Sequence, residues 1–408
     1  MTLDDWPIPS GPHAVGVTEF DLRDDGRATM YAVPPHVGRT LTVTCWYPAA
    51  SAGQQRRKPY LKREELKGMS DFFDLFKIPS EQQVRLSEIL TAGRVDAPVA
   101  AGDFPLLVFC HGGGLYREQS TVLMEHLASL GFVVASVAHP HEAGSYVTAE
   151  GEFVTSNPTL LADLQQAQAA LTANTAWCTS ESLAERLESL GRLIRPLRSS
   201  WLGKLANVWA DDMVFTADQI LEGSVGLLAK SLKPDVGYFG MSYGAHAAAL
   251  ATMKDVRTRA FVNLDGGLFT AEPLRRVLGV PVLCLTEDMS TSLAMTAMMG
   301  RQLPSPTEES LGMLHACYTH DDGTPDKRVH HVSIRGAAHG DFSDLPLLFG
   351  SIPGFVCFPG GIRVLEIQKG MVGAFFSRFM SGRDEDFQTL ARARFPDEVV
   401  IHDARRTI

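Results

Sequence analysis

The hydrophobic pattern changes period several times along this chain, and each change marks an expected element. Residues 14–22 and 40–47 alternate, with Leu41, Val43, Cys45 and Tyr47 on one parity. That predicts half-buried strands opening a sheet in antiparallel fashion. Residues 59–92 mix charge with the apolar group Phe72, Phe73, Leu75 and Phe76, and predict a helical stretch. Residues 105–110 form an unbroken apolar run, as a parallel strand covered on both faces requires. Val122, Leu123, His126, Leu127 and Leu130 follow at helical spacing, with Gly131 as the expected cap. Residues 132–138 read as the next buried strand. Residues 158–230 carry few strand signals and predict a long helical insertion. Strands resume at 236–239, 259–264, 281–286 and 328–335, with helices between them and at 362–380.

Strand and helix alternation over this span predicts an α/β fold: one mostly parallel sheet with helices on both faces. Strand signals run from about residue 14 to 335 and leave no place to cut the chain. Residues 1–408 are therefore expected as one domain, with helical insertions around 59–92 and 158–210. These should lie over the carboxyl edge of the sheet, where open α/β sheets bind ligands. No internal repeat or low-complexity segment interrupts the pattern.

Composition narrows the class. Apolar residues make up 45% and charged residues 21%, as in a globular protein. The net charge is −10, and no Lys/Arg stripe forms, which argues against a nucleic-acid partner. The six cysteines (Cys45, Cys110, Cys178, Cys284, Cys317, Cys357) are scattered, so buried thiols are expected rather than a zinc site or a disulfide framework. The acidic start has no basic-then-apolar leader, and no 18-residue apolar run occurs. A cytoplasmic protein without a transmembrane segment is the expectation.

The candidate chemistry centres on Gly240-Met241-Ser242-Tyr243-Gly244. Alone, Gly-x-Ser-x-Gly is a weak signal. Here an apolar run, Val236 to Phe239, precedes it, and a small-residue helix pattern follows from Gly244. Strand, sharp turn and helix make the nucleophile elbow of an α/β-hydrolase. Serine needs a base, and the base needs an orienting acid. In this fold both follow the serine in the chain. His339 lies just past the strand at 328–335, in a glycine-bearing loop, and suits the base. His330 and His331 fall inside that strand, and His315 and His320 fall on less suitable segments. For the acid, Asp265 ends one strand, while Glu287 and Asp288 end the next; position does not choose between them. His111-Gly112-Gly113-Gly114 follows a buried strand as an oxyanion loop would, and the Tyr243 N–H is the expected second donor.

These motifs resemble the plasma and type II platelet-activating-factor acetylhydrolases, within the α/β-hydrolase superfamily. The family's His-Gly-x-Gly-x-aromatic-Arg loop reads here His111-Gly112-Gly113-Gly114-Leu115-Tyr116-Arg117. Its Leu-Asp pair matches Leu264-Asp265, and its Ile-Arg-Gly-x-x-His-x-x-Phe matches Ile334 to Phe342. The resemblance covers roughly residues 14–50 and 105–380. It implies Asp265 as the acid, with Glu287 as runner-up, and the N–H groups of Gly113 and Tyr243 as oxyanion donors. It also likens the segment from His139 to Ser145 to the family's loop beside the site. The chain departs from the family at Gly113, where animal members carry a bulkier residue, in a Met-rich stretch at 287–327, in the insertion at 158–210, and in lacking a secretion signal.

The resulting expectation is a serine carboxylic-ester hydrolase working through Ser242, Asp265 and His339, without cofactor or metal. Its substrate would be a small or medium ester, such as a short-acyl lipid or a xenobiotic ester. An acyltransferase or amide hydrolase could use the same triad, and a non-catalytic hydrolase-like binding protein is the remoter alternative. Phe73 on the first insertion and Met298 on the Met-rich stretch are candidates for lining the substrate pocket; core packing is the alternative for both.

Overall fold

The computed structural model describes residues 6–51, 53–159, 201–266, 278–288, 290–291, 326–352, 356, 360–384 and 386–402, with short pieces between 182 and 192. Among these, the main sheet has eleven strands. Two long strands, β1 (Ala14–Thr29) and β2 (His36–Ala49), form an antiparallel pair with Val17 opposite Trp46. Both extend past the alternating residues that predict them. Two short strands, β3 (Arg57–Pro59) and β4 (Leu90–Val95), complete that edge.

The centre is parallel. β5 (Phe104–Cys110), β6 (Val133–Ala138), β9 (Leu232–Met241), β10 (Thr258–Leu264), β11 (Val282–Thr286) and β12 (Val329–Ile334) stand in the order β12-β11-β10-β9-β5-β6. β13 (Val399–His402) closes the far edge antiparallel to β12. A separate ribbon pairs β7 (Tyr146–Val147) with β8 (Phe153–Val154). The long apolar runs form these strands because both faces are buried. Along β5, Leu107 and Phe109 enter one core, and Leu106, Val108 and Cys110 enter the other.

Helices cover both faces. On one side lie α3 (Thr121–Ser129) and α7 (Gly360–Ser381); on the other, α4 (Trp201–Leu221) and α5 (Tyr243–Lys254). Gly131 follows α3 with a φ of 105°, a conformation in which a side chain would be strained. This is the α/β architecture expected, with two corrections. Residues 59–92 are not one helical stretch: they hold a 3₁₀ turn, two six-residue helices, α1 (Ser70–Leu75) and α2 (Ser80–Arg85), and the start of β4. Their apolar cluster is too short for a long amphipathic face and packs as a local plug. The second correction concerns the later insertion. Its part from 201 onward is α4, which packs along β5, β6 and β9 instead of capping their ends. Most of 160–200 lies outside the described residues. None of the helices searched is long and apolar enough to cross a membrane.

Register sets up the site. Cys110 stands beside Gly240, and Leu264 stands beside both Met241 and Leu285. Whatever follows β5, β9, β10, β11 and β12 therefore emerges together at one edge.

Candidate active site

Ser242 sits where β9 turns into α5, with φ 55° and ψ −122°. A non-glycine residue there carries backbone strain of about 1–3 kcal/mol, which persists only where surroundings over-determine it. Two contacts enforce the turn. The Ser242 N–H donates to the Leu264 carbonyl (2.9 Å), and the strand and helix close on one another through glycines. A Cβ on Gly240 would run into Gly244, and one on Gly244 would run into the carbonyl oxygens of Cys110 and His111. Only glycine permits that approach, which is the physical content of the pentapeptide motif.

His339 begins a short 3₁₀ turn just beyond β12. Its Nε2 lies 2.9 Å from Ser242 Oγ, and its Nδ1 lies 2.6 Å from Asp265 Oδ2. The loop that carries it is anchored on two sides. The Asp341 carboxylate accepts from the Ala338 N–H, and Gln368 of α7 donates to the Asp341 carbonyl. Asp288 holds the loop's start: its carboxylate accepts from the Gly336 N–H, and its own N–H donates to the Ala337 carbonyl.

Asp265 also has a positive φ, 53°. Its second oxygen accepts from the Glu287 N–H at 2.9 Å, which leaves Oδ2 for the imidazole. Burial pulls the His339 imidazole down. The hydrogen bond to Asp265 and that carboxylate's charge outweigh burial, with a smaller contribution from Glu287, and raise it above the ordinary histidine range. One third of the His339 side chain stays open to solvent, while Asp265 is 8% exposed. One donor atom each from Asp265, Glu287 and His339 lies within 4.8 Å of the others, a closeness that follows from this pairing.

The other histidine candidates stand elsewhere. His331 points at Thr286 Oγ1 from within the sheet, and His330 packs edge-on against Phe387. His315 and His320 lie outside the described residues, as does Met298. Among the acids, Asp265 is the one bonded to His339, whereas Asp288 is occupied with the loop.

The glycine loop after β5 is braced from within. Gly112 N–H donates to Gln119 Oε1 (2.8 Å), and Leu115 N–H donates to the Gly112 carbonyl (3.1 Å). Gly113 is exposed, and among the described residues nothing accepts its N–H. Tyr243 opens α5, and the first N–H groups of a helix point out of its end. Phe73 is different. It is 2% exposed and packs with Phe72 inside the core cluster, so a packing role is the one its environment supports.

Residues 4–357 match the model of one family, described as platelet-activating factor acetylhydrolase, isoform II. The chain belongs to that family. Individual relatives of the acetylhydrolase family are distant. The chain is 27% identical to a chicken (Gallus gallus) platelet-activating factor acetylhydrolase over 143 residues, 34% of this chain and 31% of that one. It is 22% identical to the dog (Canis lupus familiaris) enzyme over 66% of this chain and 54% of that one. These matches span only about a third and half of the vertebrate proteins. A fungal relative, a probable 1-alkyl-2-acetylglycerophosphocholine esterase of Arthroderma benhamiae, matches at 22% identity over 97% of this chain and 93% of its own. Among solved structures, a ferulic acid esterase from Streptomyces cinnamoneus aligns with TM-score 0.68 at 21% identity, covering 97% of this chain and 98% of that one. That likeness concerns the fold alone.

In this acetylhydrolase family member, sequence reasoning missed Gln119, which braces the glycine loop, and weighed Asp288 only as a candidate acid, whereas it braces the His339 loop. It also missed a buried polar cluster of Arg39, Glu142, Asp212 and Trp209 beneath the site. Gln119 lies seven residues beyond Gly112, where its side chain can fold back on the loop. The cluster joins residues 67 to 173 apart in the chain, and no local pattern announces such pairs.

Proposed function

We propose that the protein is a serine carboxylic-ester hydrolase whose nucleophile is Ser242. His339 takes the serine proton as Oγ attacks the ester carbonyl, and Asp265 holds the imidazole in the required tautomer and stabilises the imidazolium. The N–H groups of Gly113 and Tyr243 receive the oxyanion; one such donor contributes about 3–4 kcal/mol to the transition state. His339 then protonates the leaving alcohol, and water repeats the cycle on the acyl-enzyme.

The observation that carries this reading is the unbroken hydrogen-bonded line from Ser242 Oγ through His339 to Asp265, at 2.9 and 2.6 Å. It begins at a strained elbow and lies beside a glycine loop whose Gly113 donor has no protein acceptor among the described residues. For the substrate, the names of the family and of the fungal relative support an ester with a short acyl group, such as an acetylated glycerophospholipid.

The test is a p-nitrophenyl ester series of increasing acyl length, run beside a 2-acetyl glycerophospholipid, with fluorophosphonate labelling of the same protein. We expect turnover to be greatest for the shortest acyl groups and the label to sit on Ser242. A folded protein that cleaves none of these esters, or a label on another residue, refutes the reading.

A further inference from the structure

One buried polar cluster takes no part in the proposed chemistry, yet it touches both sides of the oxyanion hole. Trp209, on α4, lies with its indole parallel to His139 (centroids 4.1 Å apart, planes at 5°). The same indole meets His111 edge-on at 5.0 Å and Tyr243 edge-on at 5.0 Å. Its Nε1–H donates to Glu142 Oε2 (2.9 Å). Glu142 takes one fork of Arg39 (2.9 and 2.8 Å), and Asp212 takes the other (2.7 and 2.6 Å). Asp212 Oδ2 lies 2.7 Å from His139 Nδ1, which closes the ring back onto the indole. Every member is at most 4% exposed.

Stability alone does not account for such a ring. A buried ion network is often no more stable than apolar residues of the same volume, because desolvation offsets the attraction. What the ring does achieve is a fixed indole, since Trp209 is held by a hydrogen bond at its edge and a stack on its face. Arg39 comes from β2, Glu142 and His139 from the loop after β6, and Asp212 and Trp209 from α4.

The indole bears on one peptide in particular. His111 Nδ1 lies 2.8 Å from the Gly112 carbonyl oxygen, so this nitrogen carries the proton and donates. Among the described residues Nε2 has no hydrogen-bond partner. The imidazole is therefore oriented by that one bond and by its aromatic contacts with Trp209 and His139. The Gly112 carbonyl and the Gly113 N–H belong to one planar trans peptide and point in opposite directions. Fixing the carbonyl fixes the donor.

We propose that Trp209 is a positioning residue that acts through the His111 imidazole to set the Gly112–Gly113 peptide plane, and so aims the Gly113 N–H at the oxyanion. This rests on the serine-hydrolase reading above. The same carbonyl also accepts from the Leu115 N–H (3.1 Å), so His111 is one of two donors that hold this peptide between two glycines, and Gly114, with φ 73°, leaves the loop beyond it free to shift. Tyr243, whose ring meets the same indole, carries the second donor.

The experiment compares Trp209→Leu, Trp209→Phe and a control, Phe132→Leu, which thins the core against α7 away from the site. Each is assayed for kcat and KM on p-nitrophenyl acetate, for Tm, and for inhibition by an aryl trifluoromethyl ketone, whose hemiketal oxygen occupies the oxyanion hole. A donor misplaced by an ångström or less costs up to about 100-fold. We expect Trp209→Leu to lower kcat by about 30-fold with KM within about threefold, and to raise the ketone Ki by the same factor as kcat/KM falls. Trp209→Phe keeps a ring edge on His111 and should lose only about threefold in both measures. Phe132→Leu should lower Tm and leave kcat and Ki unmoved.

The proposal is overturned if kcat and Ki stay at wild-type values in Trp209→Leu, if the loss appears in KM, or if Phe132→Leu loses kcat in step with Tm. Should Trp209→Leu not fold, Trp209→Phe decides: a parallel change in kcat/KM and Ki supports the proposal, and unchanged values overturn it. Failure of the underlying reading looks different, because wild-type protein would then show no fluorophosphonate label at Ser242.

Discussion

The molecule holds two histidine–aspartate pairs that look alike in outline and behave in opposite ways. His339 and Asp265 meet at 2.6 Å, and His139 and Asp212 meet at 2.7 Å. Each imidazole has a further group on its other nitrogen, Ser242 Oγ at 2.9 Å or Cys110 Sγ at 3.3 Å. At the first pair, burial is outweighed and the imidazole is raised above its ordinary range. At the second, burial dominates and the imidazole is lowered, with the charges of Arg39 and Arg27 pushing the same way. Asp212 would itself be raised by burial, but Arg39 holds it below the usual carboxylate range, so its charge is already spoken for. Burial also drives the Cys110 thiol well up. A carboxylate tunes a histidine toward base chemistry only when no stronger cation claims it and the nucleophile can reach solvent and substrate.

The sharpest way to break this contrast is to remove the group that faces each imidazole's other nitrogen. Ser242→Ala should lower kcat on p-nitrophenyl acetate on the order of 10⁶-fold and abolish fluorophosphonate labelling. Cys110→Ala should keep the label and turnover of the same order as wild type. Loss of labelling with the cysteine variant alone would invert the assignment of the two pairs.

The acids come next. Asp265→Asn should lower kcat by about 10⁴ at nearly unchanged Tm, because the carboxylate orients and stabilises the imidazolium. Asp212→Asn should do the reverse. It leaves Arg39 partly unpaired inside the protein, and breaking a buried pair costs about 3–5 kcal/mol of stability, read as a lowered denaturant midpoint. Glu287→Gln should affect kcat far less than Asp265→Asn. A large activity loss there with a mild one at Asp265 would move the acid to the end of β11.

The smallest expected effect is in pH. His339 must be neutral to accept the serine proton, and its pKa is raised, so its protonated form persists to higher pH than in free imidazole. The acid limb of kcat/KM should therefore have its midpoint above about 6.5. His139 is lowered, so any limb it adds should lie below that of His339. A single limb centred below 6.5, or a limb above that of His339 that disappears on altering His139, would contradict the contrast.

Much of this was legible in the residues, and what was not had a physical reason. The central strands show because a strand buried on both faces needs an unbroken apolar run, as at Leu106–Cys110 and Val282–Leu285. The elbow and His339 show because a strand end and a glycine loop are local features. Asp265 against Glu287 could not be settled from position, since both end neighbouring parallel strands; one hydrogen bond distinguishes them. Residues 59–92 misled because aromatic residues close in sequence suit a plug as well as a helix. α8 (Phe387–Arg394) was missed because its polar and charged residues carry a weak period, and β13 because its apolar run, Val399 to Ile401, is too short to stand out. The Arg39 cluster has no sequence signature at all, since its partners lie far apart in the chain.

The dihedral angles at Ser242 have a consequence for how this chain drifts under mutation. Glycine at that position would relax the turn and fold more readily, so conformational energy alone favours losing the hydroxyl. Only a use for the hydroxyl itself opposes that gradient. A lineage that had turned the fold into a passive binding module would be released from that demand, and position 242 would be among the first to slide toward glycine. On the proposed reading of Ser242, the residue sets folding against use, and the tension is legible in a single pair of backbone angles.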